Sequence, residues 1–529
     1  MQDLIAAFPA SCRLITGAGA ALPKHLRPQD LPDYLNTHAR ALNLQPYLHD
    51  LSKVEWAAAQ LSATGPDAVP VVTSLSVNPH LTFVTVSWRG LPELIAGDAI
   101  EPEPADATTL LWRIPGSREM KIATASGHDL LALKIVVEKM SPRTAAGQGG
   151  VSLGTITDIL ETAVSKGLLL APPPGIARPP GFPRGEISTP DYFSSPVFTL
   201  QWHITQKCDL HCRHCYDRSN RDDFSLKQAV AVLDDTYDFC RSKNVIGQIS
   251  FTGGNPFLHA HFTTIYREAA ERGFMTAILG NPVPRHQLEN IVAIRHPEFY
   301  QVSLEGMRAQ NDDIRGRGHF DRVMDFLTTL KGLDIFSMVM LTLTKANTED
   351  VLPLAAHLRG RADLFTFNRL TPVGEGIDLH QADIHDYPGL IERYLAAADD
   401  NPGMGLKDNL INISRYRQRK APFGGCTGHG CGAAFNFVSL LPDGEVHACR
   451  KFPSPIGNIL SQRLVDIYDG ASARRYRSGT AACRECRLRP VCGGCMAVIY
   501  GNGLDIFNDR DPYCFIEAAP ATSDDRGIG

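Results

Sequence analysis

No stretch of the chain is long and apolar enough to cross a bilayer as a helix, so no transmembrane span is expected. The opening residues, MQDLIAAFPASCRL, lack a basic segment followed by a long apolar one. No secretory signal is therefore read, and the expected location is cytoplasmic. Neither sign of charge is in large excess. Fifty-two Lys and Arg against 57 Asp and Glu leave a formal net charge of −5, which excludes a uniformly basic nucleic-acid binder. No segment recurs at a fixed period, which excludes a solenoid or a propeller. At 529 residues the chain exceeds one ordinary core, and three or four domains are expected.

Cysteine is present in quantity and unevenly placed. Of 13 cysteines, Cys12 and Cys240 stand alone. Cys208, Cys212 and Cys215 form one group, and Cys426, Cys431, Cys449, Cys483, Cys486, Cys492, Cys495 and Cys514 form another. A disulfide framework belongs to small secreted domains. In a long cytosolic chain, cysteines clustered at short spacings point to metal. Cys240 falls on the apolar face of a helical pattern and is read as core, as His203 is read as a satisfied buried histidine.

The rhythm of apolar residues divides the rest. Residues 1–105 read as mainly helical, with a strand at 81–88. Residues 106–171 read as a winged-helix-like unit: a hairpin at 110–114 and 118–125, helices at 127–140 and 152–166, and a short strand at 168–170. Eight prolines between 171 and 196 read as a stiff linker, 172–196. From 197 to 383, strands at 197–204, 247–252, 274–279, 299–304, 335–344 and 362–368 alternate with helices. This predicts an α/β fold, a parallel sheet curved into a partial barrel with its site at the C-terminal strand ends. Residues 384–419 read as a helical connection, and 420–529 as a Cys- and Gly-rich domain held by metal clusters.

Cys208-x3-Cys212-x2-Cys215 sits on the loop after the first barrel strand. A four-iron cluster normally takes four thiolates, so three leave one iron open. The alternative is a zinc site completed by His211 or His214. The spacing resembles the radical SAM (S-adenosylmethionine) superfamily. The resemblance implies that SAM chelates the open iron and is reductively cleaved to a 5′-deoxyadenosyl radical. Further motifs resemble the family's SAM contacts: Tyr216 after the third cysteine, the turn Gly253-Gly254-Asn255-Pro256, Ser303 and Glu305 at the fourth strand end, Arg315 downstream, and Pro372 with Gly374 after the last strand. The turn departs from the family's Gly-Gly-Glu-Pro, whose acidic side chain holds the SAM ammonium. Asn255 accepts a hydrogen bond there but brings no charge.

The second group, Cys426-x4-Cys431-x12-Gly444-x4-Cys449 and Cys483-x2-Cys486-x5-Cys492-x2-Cys495-x18-Cys514, resembles the SPASM extension of peptide maturases. The resemblance implies one auxiliary [4Fe-4S] cluster on Cys426, Cys431, Cys449 and Cys495. It implies another on Cys483, Cys486, Cys492 and Cys514, making three clusters in all. The family commonly has three residues where two separate Cys492 from Cys495, which leaves the partition of that pair open. Two zinc knuckles are the alternative. Sulfatase-maturing members carry Asp as general base after the third auxiliary cysteine. Here that position is Arg450, which argues for another peptide reaction.

The chain as a whole resembles the thio(seleno)oxazole-modification maturases, and Leu48–Ala57 resembles a helical domain of escort proteins of other peptide-modifying enzymes. These resemblances imply a ribosomally made precursor peptide as substrate, its leader bound by the N-terminal region. They also imply an electron donor such as flavodoxin or ferredoxin, and no membrane or nucleic-acid partner. The competing readings are a radical SAM enzyme acting on a small molecule such as a haem precursor, and a non-catalytic metal-binding regulator. A DNA-binding winged helix is disfavoured by the acidic stretch at 93–106.

Overall fold

The computed structural model describes residues 2–63, 70–117 and 119–516. Residue 118 of the expected hairpin and the end of the last expected domain, 517–529, lie outside the described residues. The chain forms two compact units, Met1–Pro173 and Pro174–Gly529. Among the described residues no helix is long and apolar enough to cross a membrane.

The first unit is organised around a three-stranded sheet, with a second, two-stranded sheet beside it. Strands β1 (Ser76–Val77), β2 (Leu81–Arg89), β3 (Glu103–Arg113), β4 (Met120–Thr124) and β5 (Leu169–Leu170) are all antiparallel, with β2-β3-β4 in one sheet and β1-β5 in a second. Alternate residues of β3 enter opposite cores. Leu111 joins Phe8, Leu31, Leu51 and Val54 on the N-terminal helices. Leu110 and Trp112 join Ile135, Ile156 and Leu160 of the helices Gly127–Val137 and Leu153–Ser165. Strand β3 therefore runs straight through position 105. The expected helical and winged-helix-like segments share its two faces, because side chains alternate across a strand. A helix at Pro142–Gly149 was not anticipated; Ser141 caps it.

Within the segment Leu48–Ala57, two carboxylates do structural work. Glu55 is 2% exposed and accepts from the backbone N–H groups of Ala10 (2.6 Å) and Ser11 (3.0 Å). These donors open the helix Pro9–Gly17 and have no intrahelical partner. Asp50 accepts from the Ser87 N–H at 2.7 Å and so ties the helix Leu48–Ala63 to β2.

The second unit holds a nine-stranded sheet. Its parallel part is β6 (Val197–Thr205), β7 (Ile246–Gly253), β8 (Met275–Leu279), β9 (Phe299–Ser303), β10 (Ser337–Leu343) and β11 (Leu364–Arg369), neighbouring in that order. This is the expected six-stranded βα array. Phe198, Leu200, Trp202 and Ile204, on one face of β6, are fully buried, and the other face is buried from His203 onward at the C-terminal end. The sheet continues beyond β6. Strand β12 (Phe437–Leu440) pairs parallel with β6, and β13 (Glu445–His447) and β14 (Pro455–Asn458) follow antiparallel. The Cys-rich domain is thus welded to the first barrel strand by backbone hydrogen bonds. Helices Tyr387–Asp400 and Ile411–Arg417 fill the expected connection.

The proline-rich segment is no free spacer. Residues 174–196 belong to the second unit. Arg178, 9% exposed, donates to the carbonyls of Arg477 (2.7 Å), His429 (3.1 Å) and Cys431 (3.3 Å), with its guanidinium over the rings of Phe182 and Phe435. Burial beside Arg489 lowers its pKa to about 9. Proline restricts the backbone of this segment but does not stop its other side chains from packing.

Removing the Glu55 cap strands two buried donors. Glu55→Ala is expected to destabilise the first unit by about 1–3 kcal/mol. Urea unfolding followed by Trp56 fluorescence checks this, since Trp56 stacks on Phe8.

Candidate functional site

Strand β6 ends at Thr205, and the loop 206–216 carries the first three cysteines across the C-terminal ends of the strands. Cys208 is exposed, Cys212 buried and Cys215 half-buried, and all three are free thiols. A turn from the Cys215 N–H to the Cys212 carbonyl (3.1 Å) brings the last two together. Burial pushes the thiols of Cys212 and Cys215 up, and a charge on Cys208 pushes both further. Two such thiols ionise together only beside strong positive charge.

The Gly253–Pro256 turn lies directly against this loop. Gly254 and Asn255 donate their N–H groups to the carbonyls of Thr205 and Lys207, both at 2.8 Å. Gly253 has φ +125°, and a Cβ on Gly254 would overlap the Lys207 carbonyl. Glycine is therefore required at both positions. At the other side of the loop, Gly374 (φ +55°) packs on the backbone of Cys215 and Tyr216, and the Glu375 N–H donates to the Cys215 carbonyl at 2.8 Å. Pro372 follows β11 at the same end of the sheet, and Ser303 closes β9.

Glu305 differs from expectation. It is 1% exposed and turned inward, with Oε1 accepting from Arg315 Nη2 (2.6 Å) and Nε (2.9 Å) and lying 2.9 Å from His214 Nε2. Oε2 accepts from the Thr342 N–H at 2.7 Å. His214, Arg315 and the Thr342 N–H outweigh burial and hold its pKa down to about 2. So its part is to hold Arg315, whose Nη1 stands 3.7 Å from Cys212 Sγ. A carboxylate with this many partners is occupied inside the protein rather than offered to a ligand.

Tyr216 and Arg450 link the two cysteine groups. The Tyr216 hydroxyl is 2.9 Å from His203 Nδ1, and burial raises its pKa to about 12. Arg450, next to Cys449, lies over the Tyr216 ring at 5.2 Å and donates to Thr252 Oγ1 at 3.1 Å. His203 is buried and kept neutral by desolvation. Cys240 is core, its thiol pushed up by burial alone.

The eight later cysteines fall into two neighbourhoods. Charge on Cys431 or Cys495 bears on Cys449, and charge on Cys426 bears on Cys431. Cys483, Cys486, Cys492 and Cys514 line a single pocket with Leu488 and Asp511. Gly493 and Gly494, at φ +70° and +67°, reverse the chain so that Cys492 and Cys495 face different sets despite their two-residue spacing. The sets touch through the Cys431 N–H, which donates to the Cys492 carbonyl at 3.0 Å. Among the described residues no three His, Cys, Asp or Glu groups are arranged to hold a single metal ion. Four cysteines lining one pocket are the thiolate complement that a four-iron cluster takes. The donor sets therefore fit iron–sulfur clusters. Arg369 on β11 braces this region: it pairs with Asp408 (2.7 Å) and bidentately with Asp511 (2.8 Å each), and Asp511 Oδ2 accepts from the Cys495 N–H at 2.9 Å.

Sequence reasoning missed Asp209 and Asn281, and read His214 only as a possible zinc ligand, where it lies against Glu305. Asp209 Oδ1 accepts from Asn281 Nδ2 at 2.7 Å and from Asn255 Nδ2 at 3.1 Å, and Asn281 Nδ2 is 3.5 Å from Cys208 Sγ. A signal was present: Gly280-Asn281-Pro282 after β8 repeats Gly254-Asn255-Pro256 after β7.

Two variants check this geometry. Glu305→Gln leaves Arg315 buried without its carboxylate, and a broken buried pair costs about 3–5 kcal/mol. A loss of that size in anaerobic denaturation is expected. Asp511→Asn releases Arg369 and weakens the loop bearing Cys495 and Cys514. Its iron content is expected to fall below the parent's, by colorimetric assay.

Comparison with known proteins agrees with this geometry. Residues 202–358 match the Radical SAM superfamily, and residues 431–496 match SPASM, an iron–sulfur cluster-binding domain. The chain is 27% identical over 350 residues to the mycofactocin maturase MftC of Mycolicibacterium smegmatis, covering 62% of this chain and 85% of that protein. It is 25% identical over 344 residues to the AdoMet-dependent heme synthase of Methanosarcina barkeri, covering 60% and 95%. It is also 25% identical over 314 residues to the antilisterial bacteriocin subtilosin biosynthesis protein AlbA of Bacillus subtilis, covering 56% and 66%. Among solved structures, SuiB of Streptococcus suis matches in fold with TM-score 0.50 at 16% identity, covering 77% of this chain and 96% of that one. The chain is an enzyme of the radical SAM kind, with a SPASM iron–sulfur domain following its radical SAM domain.

Proposed function

We propose that the protein is a maturase that uses SAM at a three-thiol [4Fe-4S] cluster to modify a ribosomally made peptide. Bound at the reduced cluster, SAM supplies a hydrogen-abstracting radical; that chemistry belongs to the cofactors. The chain's residues bind, orient and shield. Cys208, Cys212 and Cys215 hold the cluster and leave one iron open. Gly253 and Gly254 let the backbone approach SAM, with Asn255, Pro256, Ser303, Pro372 and Gly374 around it. Arg315, held by Glu305, places positive charge beside Cys212. Tyr216 and Arg450 face the space between the first thiol set and Cys449. Cys426, Cys431, Cys449 and Cys495 hold one auxiliary cluster, and Cys483, Cys486, Cys492 and Cys514 the other. With four thiolates each, these clusters would leave no iron open, and the chemistry they would supply is electron transfer from a donor such as a ferredoxin or flavodoxin. The thiols require a reducing compartment, which favours the cytoplasm.

The observation that carries this reading is the loop with three thiols stapled to the Gly253–Pro256 turn at the C-terminal strand ends. A peptide substrate is supported by likeness to a maturase and to a bacteriocin biosynthesis protein. It is also supported by the first unit, where among the described residues β4 pairs with β3 alone and leaves an edge. Beside that edge a groove is lined by Trp112, Lys121, Thr124, Asp129 and Lys166. An extended leader peptide adds to such an edge as a strand. The likeness to heme synthase keeps a small-molecule substrate as the second reading. The thio(seleno)oxazole group is the proposed subfamily, on its Gly-Gly-Asn-Pro turn.

Anaerobically reconstituted protein is expected to be brown, to hold about 12 irons at four per cluster, and to release 5′-deoxyadenosine from SAM with a reductant. Replacing Cys208, Cys212 and Cys215 by Ala is expected to abolish that release and remove about a third of the iron. Co-expression with a short neighbouring reading frame is expected to change the peptide's mass. A colourless, zinc-loaded protein overturns the reading.

A further inference from the structure

The SAM-binding turn carries Asn255 where charge is expected, and the structure brings a carboxylate to the same place from another element. Asp209 follows Cys208 directly. Two buried asparagines, Asn255 at 3% exposure and Asn281 at 8%, both point their amide N–H groups at its Oδ1. Only an N–H suits a carboxylate oxygen, so the orientation of both amides is determined. Oδ2 has no partner among the described residues. Nor does any Lys, Arg or His pair with Asp209 there. The neighbouring cation is used elsewhere, with Lys207 Nζ on Asp223 at 2.8 Å. Asp209 itself stays exposed at the mouth of the site.

This placement is built into the backbone. The Asn255 N–H is held by the Lys207 carbonyl, two residues before Asp209. Asn281 is anchored through its own carbonyl, which accepts from the Tyr300 hydroxyl at 2.7 Å. The carboxylate is thus aimed by two fixed amides, with one oxygen left over, beside the first cluster cysteine.

Resting on the function proposed above, we propose that Asp209 is the residue that receives the α-ammonium of SAM, with Asn255 and Asn281 as its positioning residues. The negative charge lost from the turn is relocated to the cysteine loop, where the two asparagines orient it. An unpaired carboxylate with one oxygen oriented and the other open is an ammonium acceptor.

The test is equilibrium binding of SAM to the reconstituted protein, with iron content measured for every variant and affinities compared per loaded cluster. Asp209→Asn keeps the size and removes the charge, and is expected to weaken SAM binding at least tenfold. S-adenosylhomocysteine, which keeps the ammonium but lacks the sulfonium, is expected to lose a similar factor. Adding Asn255→Glu to Asp209→Asn puts charge back on the turn and is expected to recover most of the loss. Should Asp209→Asn take up no iron, Asp209→Glu and Asp209→Ser make the same comparison, with only the former binding SAM tightly. Binding by Asp209→Asn within twofold of the parent, or a loss for SAM alone, overturns the proposal. A parent protein that binds no SAM when fully loaded overturns the proposed function instead.

Discussion

Two backbone hydrogen bonds, from Gly254 and Asn255 to the carbonyls of Thr205 and Lys207, fix the loop with Cys208 to the end of the neighbouring strand. They exist because Gly253 adopts a left-handed φ and Gly254 has no side chain to collide with the Lys207 carbonyl. Everything at the strand ends inherits its position from this joint. A turn joins Cys212 to Cys215, Gly374 packs on the backbone of Cys215 and Tyr216, and Arg315 is brought to Cys212 by a carboxylate that is itself immobilised. The joint needs no side chain from either element, so substitution of side chains around it leaves the geometry in place.

The Cys-rich domain is continuous with the barrel. Strand β12 extends the parallel sheet from β6, and Arg369 on β11 is paired with Asp511 near the other end of the same domain. The domain is thus held at both edges of the βα array. One of its core clusters is built mostly of small residues, Ala433, Ala434, Ala448, Ala473 and Ala497 beside Phe452 and Met496, and Cys431, Cys449 and Cys495 pack against it. Burial raises most of these thiols, so in the bare domain they stay protonated, and metal binding releases their protons.

Much of the architecture was legible in the chain. Six apolar runs alternating with helices gave the parallel array, since a strand buried on both faces has a continuous apolar pattern that periodicity detects. The hairpin and the two flanking helices of the first unit were legible for the same reason. The boundary at 105 was not, because β3 offers its alternate residues to two cores and nothing local marks a strand as shared. The proline-rich segment looked like a spacer because proline limits the backbone; that Arg178 buries itself among Phe182, Phe435 and three carbonyls depends on residues more than 200 positions away.

For the site, the sequence alone determined the kind of chemistry. Three thiols at short spacing on a loop, followed by eight more, point to iron–sulfur chemistry, because donor type is a property of residues rather than of packing. Only the tertiary structure decided who faces whom. It separated Cys492 from Cys495 through two left-handed glycines, and turned Glu305 inward behind Arg315. It also set Asp209 between Asn255 and Asn281. These residues are separated by anything from three to 72 positions. Their meeting depends on how the strand ends close around one another, which local spacing does not encode.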